Sequence, residues 1–272
     1  MYRRFATVGA VGLLCLFQAA CNTVGFGAAK LTAGESAASP EARRLMQLAG
    51  DVEARGEYET AAALYARAAE TSGDAAEAQL RLGNTHLKAG NYPAARAAFT
   101  KVLATDSGNA DALFGLGTVQ LKSGEIDDSV RTLTTATPLV NTSSAYSRLG
   151  TALIMAGRSD EALEAFASAQ SLAPNDLDVT ANMAFAQVLV GKNDEAVAAM
   201  QKVVQSPLAQ PRHRANLVML LAIAGRVEEA RAVNVSELSP GQKRDLLLRA
   251  KKVRDARTPP AKARAIGLLH AA

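Results

Sequence analysis

The chain has no tryptophan, and aromatic residues make up only 4% of its 272 positions. That scarcity argues against the aromatic platforms on which proteins stack single-stranded bases. Only three histidines occur, His86, His213 and His270, scattered without the paired spacing of metal ligands. There is no glycine-rich phosphate loop, GxSxG elbow or HExxH run. The expectation is a non-enzymatic protein with no catalytic residue, metal or cofactor. Cysteine is equally sparse: Cys15 lies in the apolar N-terminal stretch, and Cys21 follows it. Past that stretch no segment is long and apolar enough to span a bilayer.

What the chain does have is a period. Gly56, Gly90, Gly124, Gly157, Gly191 and Gly225 recur in one setting, spaced by 34, 34, 33, 34 and 34 residues. A helical pattern precedes each glycine, and a second begins four to six residues after it. The second helix carries a small residue and then a large one: Ala61/Tyr65, Ala95/Phe99, Ser129/Leu133, Ala162/Phe166, Ala196/Met200 and Ala230/Asn234. A two-helix unit of this size cannot bury its own apolar face, so copies must stack into a solenoid. The acidic pairs Asp127-Asp128, Asp160-Glu161, Asp194-Glu195 and Glu228-Glu229 recur in register where second helices start. Carboxylates there favour the positive end of the helix dipole, which accounts for them without acid–base chemistry.

This pattern resembles the tetratricopeptide repeat (TPR) across roughly residues 42–235. The fourth copy has Leu149-Gly150 in its first helix, Gly157 in the turn, Ala162, Phe166 and Ala169 in its second helix, and Pro174 at the end. The second has Leu82-Gly83, Gly90, Tyr92, Ala95 and Phe99, and the third has Leu116-Gly117, Gly124 and Ala136. Gly83, Gly117 and Gly150 are expected to let paired helices approach, and the turn glycines to take positive φ. The first, fifth and sixth copies carry Ala49, Ala184 and Val218 in place of the first-helix glycine. Asn234 misses the large apolar slot, as suits a terminal copy. The fold expected is all-α, a TPR solenoid of about six helix–turn–helix repeats with a C-terminal capping helix. His86 stands where the family has Tyr or Leu, and is read as a packed residue.

Residues 1–20 have the layout of a secretory signal: a basic start at Arg3-Arg4, an uncharged apolar run from Ala6 to Phe17, then Ala19-Ala20. Cys21 directly after two alanines resembles a bacterial lipoprotein processing site, where the cysteine is lipidated and becomes the mature N-terminus. Gln18 departs from the leucine usual in that motif. The other readings are a plain secreted protein and an uncleaved anchor. With Cys15 removed, one cysteine would remain, excluding an internal disulfide. Lipoproteins kept at the inner membrane often carry Asp after the cysteine. Asn22 stands here, so the resemblance implies an outer-membrane lipoprotein facing the periplasm. Residues 21–40, rich in Gly, Ala, Ser and Thr, read as a flexible tether with a span of roughly 25 Å.

The other end is basic. From Lys243 to Arg264 there are nine Lys/Arg and two Asp, a balance of +7. Ser239-Pro240-Gly241-Gln242 reads as a capping box opening a helix, placing a basic capping helix at 239–257 and a loose tail at 258–272. Its basic face is either solvated or a contact for acidic envelope partners or anionic lipid.

In the TPR family the first helices line the concave face. Projection of this sequence puts Leu80, Asn84, Leu87, Phe114, Leu121, Ile154, Phe185, Val188 and Met219 along a partner-binding groove. Such a stripe suits an amphipathic helix or extended apolar peptide, although several of these residues could instead pack between neighbouring helices. Signal, tether and repeats together resemble the TPR lipoproteins of tight-adherence (Flp) pilus assembly, the TadD family, and the pilotin-like TPR lipoproteins. The resemblance implies a secretin or pilus-assembly component as partner and no nucleic acid. The alternatives are an adaptor for peptidoglycan enzymes and an unanchored secreted regulatory factor.

Overall fold

The computed structural model describes residues 39–72 and 75–266, and every element of regular structure among them is helical. The signal, Cys21 and most of the tether expected from the sequence lie outside the described residues. Six helical hairpins follow one another: α1 (Pro40–Ala54) with α2 (Tyr58–Thr71), α3 (Ala76–Lys88) with α4 (Tyr92–Thr105), and α5 (Ala110–Lys122) with α6 (Ile126–Val140). Then come α7 (Ser143–Met155) with α8 (Ser159–Leu172), α9 (Leu177–Leu189) with α10 (Asn193–Gln205), and α11 (Pro211–Ile223) with α12 (Val227–Ala232). Two helices close the chain, α13 (Pro240–Asp255) and α14 (Pro259–Ile266).

Each boundary has a local cause. All six periodic glycines sit at φ between 76° and 84°, a backbone that L side chains rarely adopt, so the hairpin turn recurs every repeat. Ser39, Asn91, Asn109, Thr142, Asp176 and Ser239 cap the helices they precede by accepting from backbone N–H groups. The acidic pairs fall in the first turns of α6, α8, α10 and α12.

The small–large pairs build the core. Tyr65, Phe99, Leu133, Phe166 and Met200 are all at most 1% exposed, each with its small partner buried beside it. A Cβ at Gly83 would lie 2.7 Å from the Phe99 ring, one at Gly150 2.8 Å from Phe166, and one at Gly117 2.8 Å from Leu133. These glycines are therefore the space that the large residues fill. Ser129, which replaces the usual alanine, donates to the Gly117 carbonyl at 2.8 Å and so is satisfied where it is buried.

Gly115 was not singled out by the repeat, yet a Cβ there would come within 2.3 Å of Phe99. Phe99 of the second copy is thus clamped between its own first helix and the first helix of the next copy.

The last repeat is abbreviated. Its second helix, α12, has six residues, because exposed Asn234 cannot seat in the core; Val235 is buried in its stead. Lys243 of α13 reaches back and donates to the Val233 carbonyl at 2.7 Å, capping the end of the short helix. Arg254 likewise donates to the Ala222 carbonyl at the end of α11. Two cations of the basic helix thus bond to backbone carbonyls of the solenoid.

The segment expected to be a loose tail departs from that expectation over residues 259–266. They form α14, with Ala263 and Ile266 buried; residues 267–272, with His270, lie outside the described residues. The physical reason is a helix start that resembles the one at Ser239-Pro240: Thr258 precedes Pro259-Pro260, and Ala261 N–H donates to its Oγ1. The prolines begin a helix here instead of only ending one.

Candidate interaction face of the solenoid

First helices of adjacent copies touch one another along α3, α5, α7, α9 and α11, and consecutive second helices make no comparable contact. The first helices therefore follow the shorter arc and line the concave side.

The face divides into two halves. In the N-terminal half, Leu80 and Leu87 are half-buried against the cluster of Ala95, Phe99 and Val119, and Asn84 is exposed. Around them are polar groups already engaged. Lys88 Nζ donates to Glu53 Oε1 at 2.7 Å, and the Tyr65 hydroxyl donates to the other oxygen of the same carboxylate at 3.1 Å. Burial, with the Glu53 hydrogen bond after it, raises the Tyr65 phenol.

At the centre of the arc, Phe114 is half-buried and the Arg148 guanidinium lies 5.7 Å from its ring centroid, within cation–π range. Arg148 Nε is buried without a hydrogen-bond partner, and burial pulls the guanidinium below its ordinary range. Burial also lowers the Lys122 ammonium, with the Arg148 charge adding to it. This is a cationic, partly desolvated spot beside an aromatic face.

In the C-terminal half the expected groove is not open. Leu121 and Ile154 are fully buried, and Phe185, Val188 and Met219 are at most 5% exposed. They belong to one apolar cluster with Ala250 and Val253 of α13 and Ala263 and Ile266 of α14. For the last four the cause is tertiary: α13 packs on α11, and α14 folds back onto α7 and α9; Leu121 is on α5, which packs instead against α4, α6 and α7. Of the residues assigned to the groove, only Leu80, Asn84, Leu87 and Phe114 remain accessible.

His86 is half-buried, and burial lowers its imidazole. His213 is 2% exposed and serves structure: Gln210 N–H donates to Nδ1 at 3.0 Å, so Nε2 carries the proton and donates to Asp178 Oδ1 at 3.0 Å. Arg212 adds a two-pronged pair to Asp178, at 3.0 and 2.7 Å, so α9 and α11 are pinned at their starts. Asp178 and Arg212 stand one 34-residue period apart, at equivalent places in adjacent copies, but neither belongs to the recurring glycine or small–large positions that define the repeat, so the pattern does not single them out. Among the described residues no group of three or more His, Cys, Asp or Glu is gathered as a metal site, and no helix is long and apolar enough to cross a membrane.

Comparison with known proteins agrees with this geometry. Tetratricopeptide repeat family profiles match residues 46–110, 86–153, 143–176 and 211–233. No curated protein sequence matches the chain. Among solved structures, a tetratricopeptide repeat protein from Parabacteroides merdae is similar with a TM-score of 0.62 at 13% identity, over 85% of this chain and 100% of that one. PilF of Pseudomonas aeruginosa gives 0.59 at 20% identity, over 71% of this chain and 87% of that one. MamA of Desulfovibrio magneticus RS-1 gives 0.55 at 22% identity, over 62% and 96%. At these identities the likeness is one of fold. The profiles together cover more than half of the chain, and with the stacked helical hairpins they show that it belongs to the tetratricopeptide repeat proteins.

Proposed function

We propose that the chain is a non-enzymatic scaffold lipoprotein, anchored through Cys21 in the outer membrane and facing the periplasm, that binds and helps assemble a pilus or secretion-channel component. The observation that carries the binding role is the N-terminal half of the concave face. There Leu80, Leu87 and Phe114 keep apolar surface accessible beside Asn84, in a fold whose use is to hold protein partners. The envelope assignment rests on the signal layout, the single cysteine after it and the tether. The fold likeness to PilF of Pseudomonas aeruginosa supports the scaffold and not its location.

The test is a double substitution, Leu80→Glu with Phe114→Glu, in the full chain. Both residues are partly exposed, so the fold should survive, whereas charge on this face would have to be desolvated on docking. Leu121→Glu is unsuitable, since Leu121 is fully buried and its loss would report on folding. With helicity unchanged, the variant should fail to recover secretin or pilus-assembly proteins and should abolish surface pili. Undiminished recovery would move the interface off this face. If the wild type recovers only peptidoglycan enzymes, the cell-wall adaptor reading replaces the pilus one.

A further inference from the structure

Charge is segregated along the chain. Lys and Arg number 19 and Asp and Glu 24 over residues 22–242, a balance of −5, whereas residues 243–264 hold +7. In the last repeat the arginines beside α13 are neutralised locally: Arg226 and Arg231 each pair with a glutamate three positions away.

The cations of α13 divide by face. Lys243 and Arg254 turn to carbonyls of the solenoid. Arg244, Arg249, Lys251 and Lys252 are exposed, and among the described residues none of the four makes an ion pair or a side-chain hydrogen bond. At about 100° per residue, Arg244, Leu248, Lys251 and Lys252 share one stripe of the helix, across from buried Ala250 and Val253. Leu248 thus stands on the outward face among cations, and it is 59% exposed. Asp245 and Asp255 are the acids of α13, and both are exposed as well. Beside the stripe, α13 and α14 leave an open cleft of about 480 Å³, lined by Asp245, Leu248, Arg249, Lys252 and Ala265.

The chemistry of this face selects its occupant. Its cations stand on flexible stems with no bond bracing them, so nothing fixes the spacing or the planar orientation by which one protein surface recognises another. A leucine in the middle of a cationic face gains most where negative charge overlies hydrocarbon. A bilayer carrying anionic head groups has that layering.

We propose that the outward face of α13, with the cleft between α13 and α14, docks on anionic phospholipid: head-group phosphates meet Arg244, Arg249, Lys251 and Lys252, and Leu248 enters the interface. Docking there is a second attachment beside the proposed acyl anchor, and one that responds to lipid charge. The inference rests on the proposed function for its envelope setting, but its test uses no acyl chain, so the two can fail separately.

The test is co-sedimentation of the chain from Asn22 onward, which lacks Cys21 and keeps every described helix, with phosphatidylcholine vesicles that contain or lack phosphatidylglycerol. Binding should require phosphatidylglycerol and weaken as salt rises. Arg249→Gln with Lys252→Gln should weaken it about 25-fold, at about fivefold per cation. Arg249→Lys with Lys252→Arg should keep it within about twofold, since a membrane reads charge and not the planar fork of arginine. Leu248→Ala should weaken it about three- to fivefold, as partial burial of the side chain is lost. Arg43→Gln with Arg44→Gln removes as much exposed charge from α1, away from this face, and should cost less than about twofold. Equal binding to both kinds of vesicle, or an equal loss from the Arg43 and Arg44 pair, would overturn the docking face. If Leu248→Ala has no effect and soluble polyglutamate competes as well as vesicles do, the lipid is wrong and an acidic protein takes its place.

Discussion

Phe99 is the best place to test whether these repeats are held by complementary small and large residues. It is fully buried, and glycines flank it on both sides: added Cβ atoms would lie 2.7 Å away at Gly83 and 2.3 Å away at Gly115. Phe99→Ala should cost about 3–5 kcal/mol, near the upper end because two glycine-bearing helix faces have no side chains to collapse into the void. Gly115→Ala alone forces a methyl into the ring, costing about 1–3 kcal/mol in overpacking against about 1 kcal/mol gained in helix propensity. With the ring gone, the same methyl meets a cavity. Gly115→Ala should then stabilise the Phe99→Ala protein by about 1–2 kcal/mol, through propensity and partial refilling. The sign of one substitution thus inverts between two backgrounds. Because a solenoid need not unfold in one step, denaturant midpoints should be paired with hydrogen exchange resolved by copy. The deficit of Phe99→Ala should concentrate in α3, α4 and α5. If Gly115→Ala has the same sign and size in both backgrounds, within about 0.5 kcal/mol, the clamp around Phe99 is not what sets stability there.

Asp178 gives a pH test. The Arg212 hydrogen bond, and the His213 one after it, hold its carboxyl below the ordinary value of 3.8 despite some opposing burial. A depressed folded-state value means that its stabilisation is present above the unfolded value and is lost as pH falls through the folded one. Asp178→Asn should therefore lower thermal stability at neutral pH, by less than about 1 kcal/mol since the pair is half exposed, and flatten the decline below about pH 4. An unchanged melting profile against pH would show that the link between α9 and α11 contributes nothing. For anchoring, metabolic labelling with a fatty-acid analogue should mark the wild type and not Cys21→Ser. Extraction of the wild type should need detergent and resist salt, as for a protein held by several acyl chains. An unlabelled wild type that fractionates as soluble would refute lipidation.

Much of this protein was legible in the chain itself, because a repeat writes its fold locally. The turn glycines, the small–large pairs and Gly83, Gly117 and Gly150 all act within one 33- or 34-residue unit, and steric volume alone dictates their partners. The abbreviated last copy was foreshadowed by Asn234 in the slot for a large apolar side chain. Contacts between copies were harder to read. Gly115 meets Phe99 of the preceding copy, and Asp178 meets Arg212 and His213 of the next, at positions outside the recurring glycine and small–large slots. The return of α14 was beyond any such pattern. Thr258-Pro259-Pro260 contained the start of a helix, but where an eight-residue helix docks depends on which surface remains uncovered roughly a hundred residues earlier. Only the tertiary structure decided that Ile154, Phe185 and Val188 are roofed over while Leu80, Leu87 and Phe114 are not. Periodicity places a residue on the concave side, but whether water, the chain's own end or a partner covers it is settled by apolar burial over distances that the sequence does not encode.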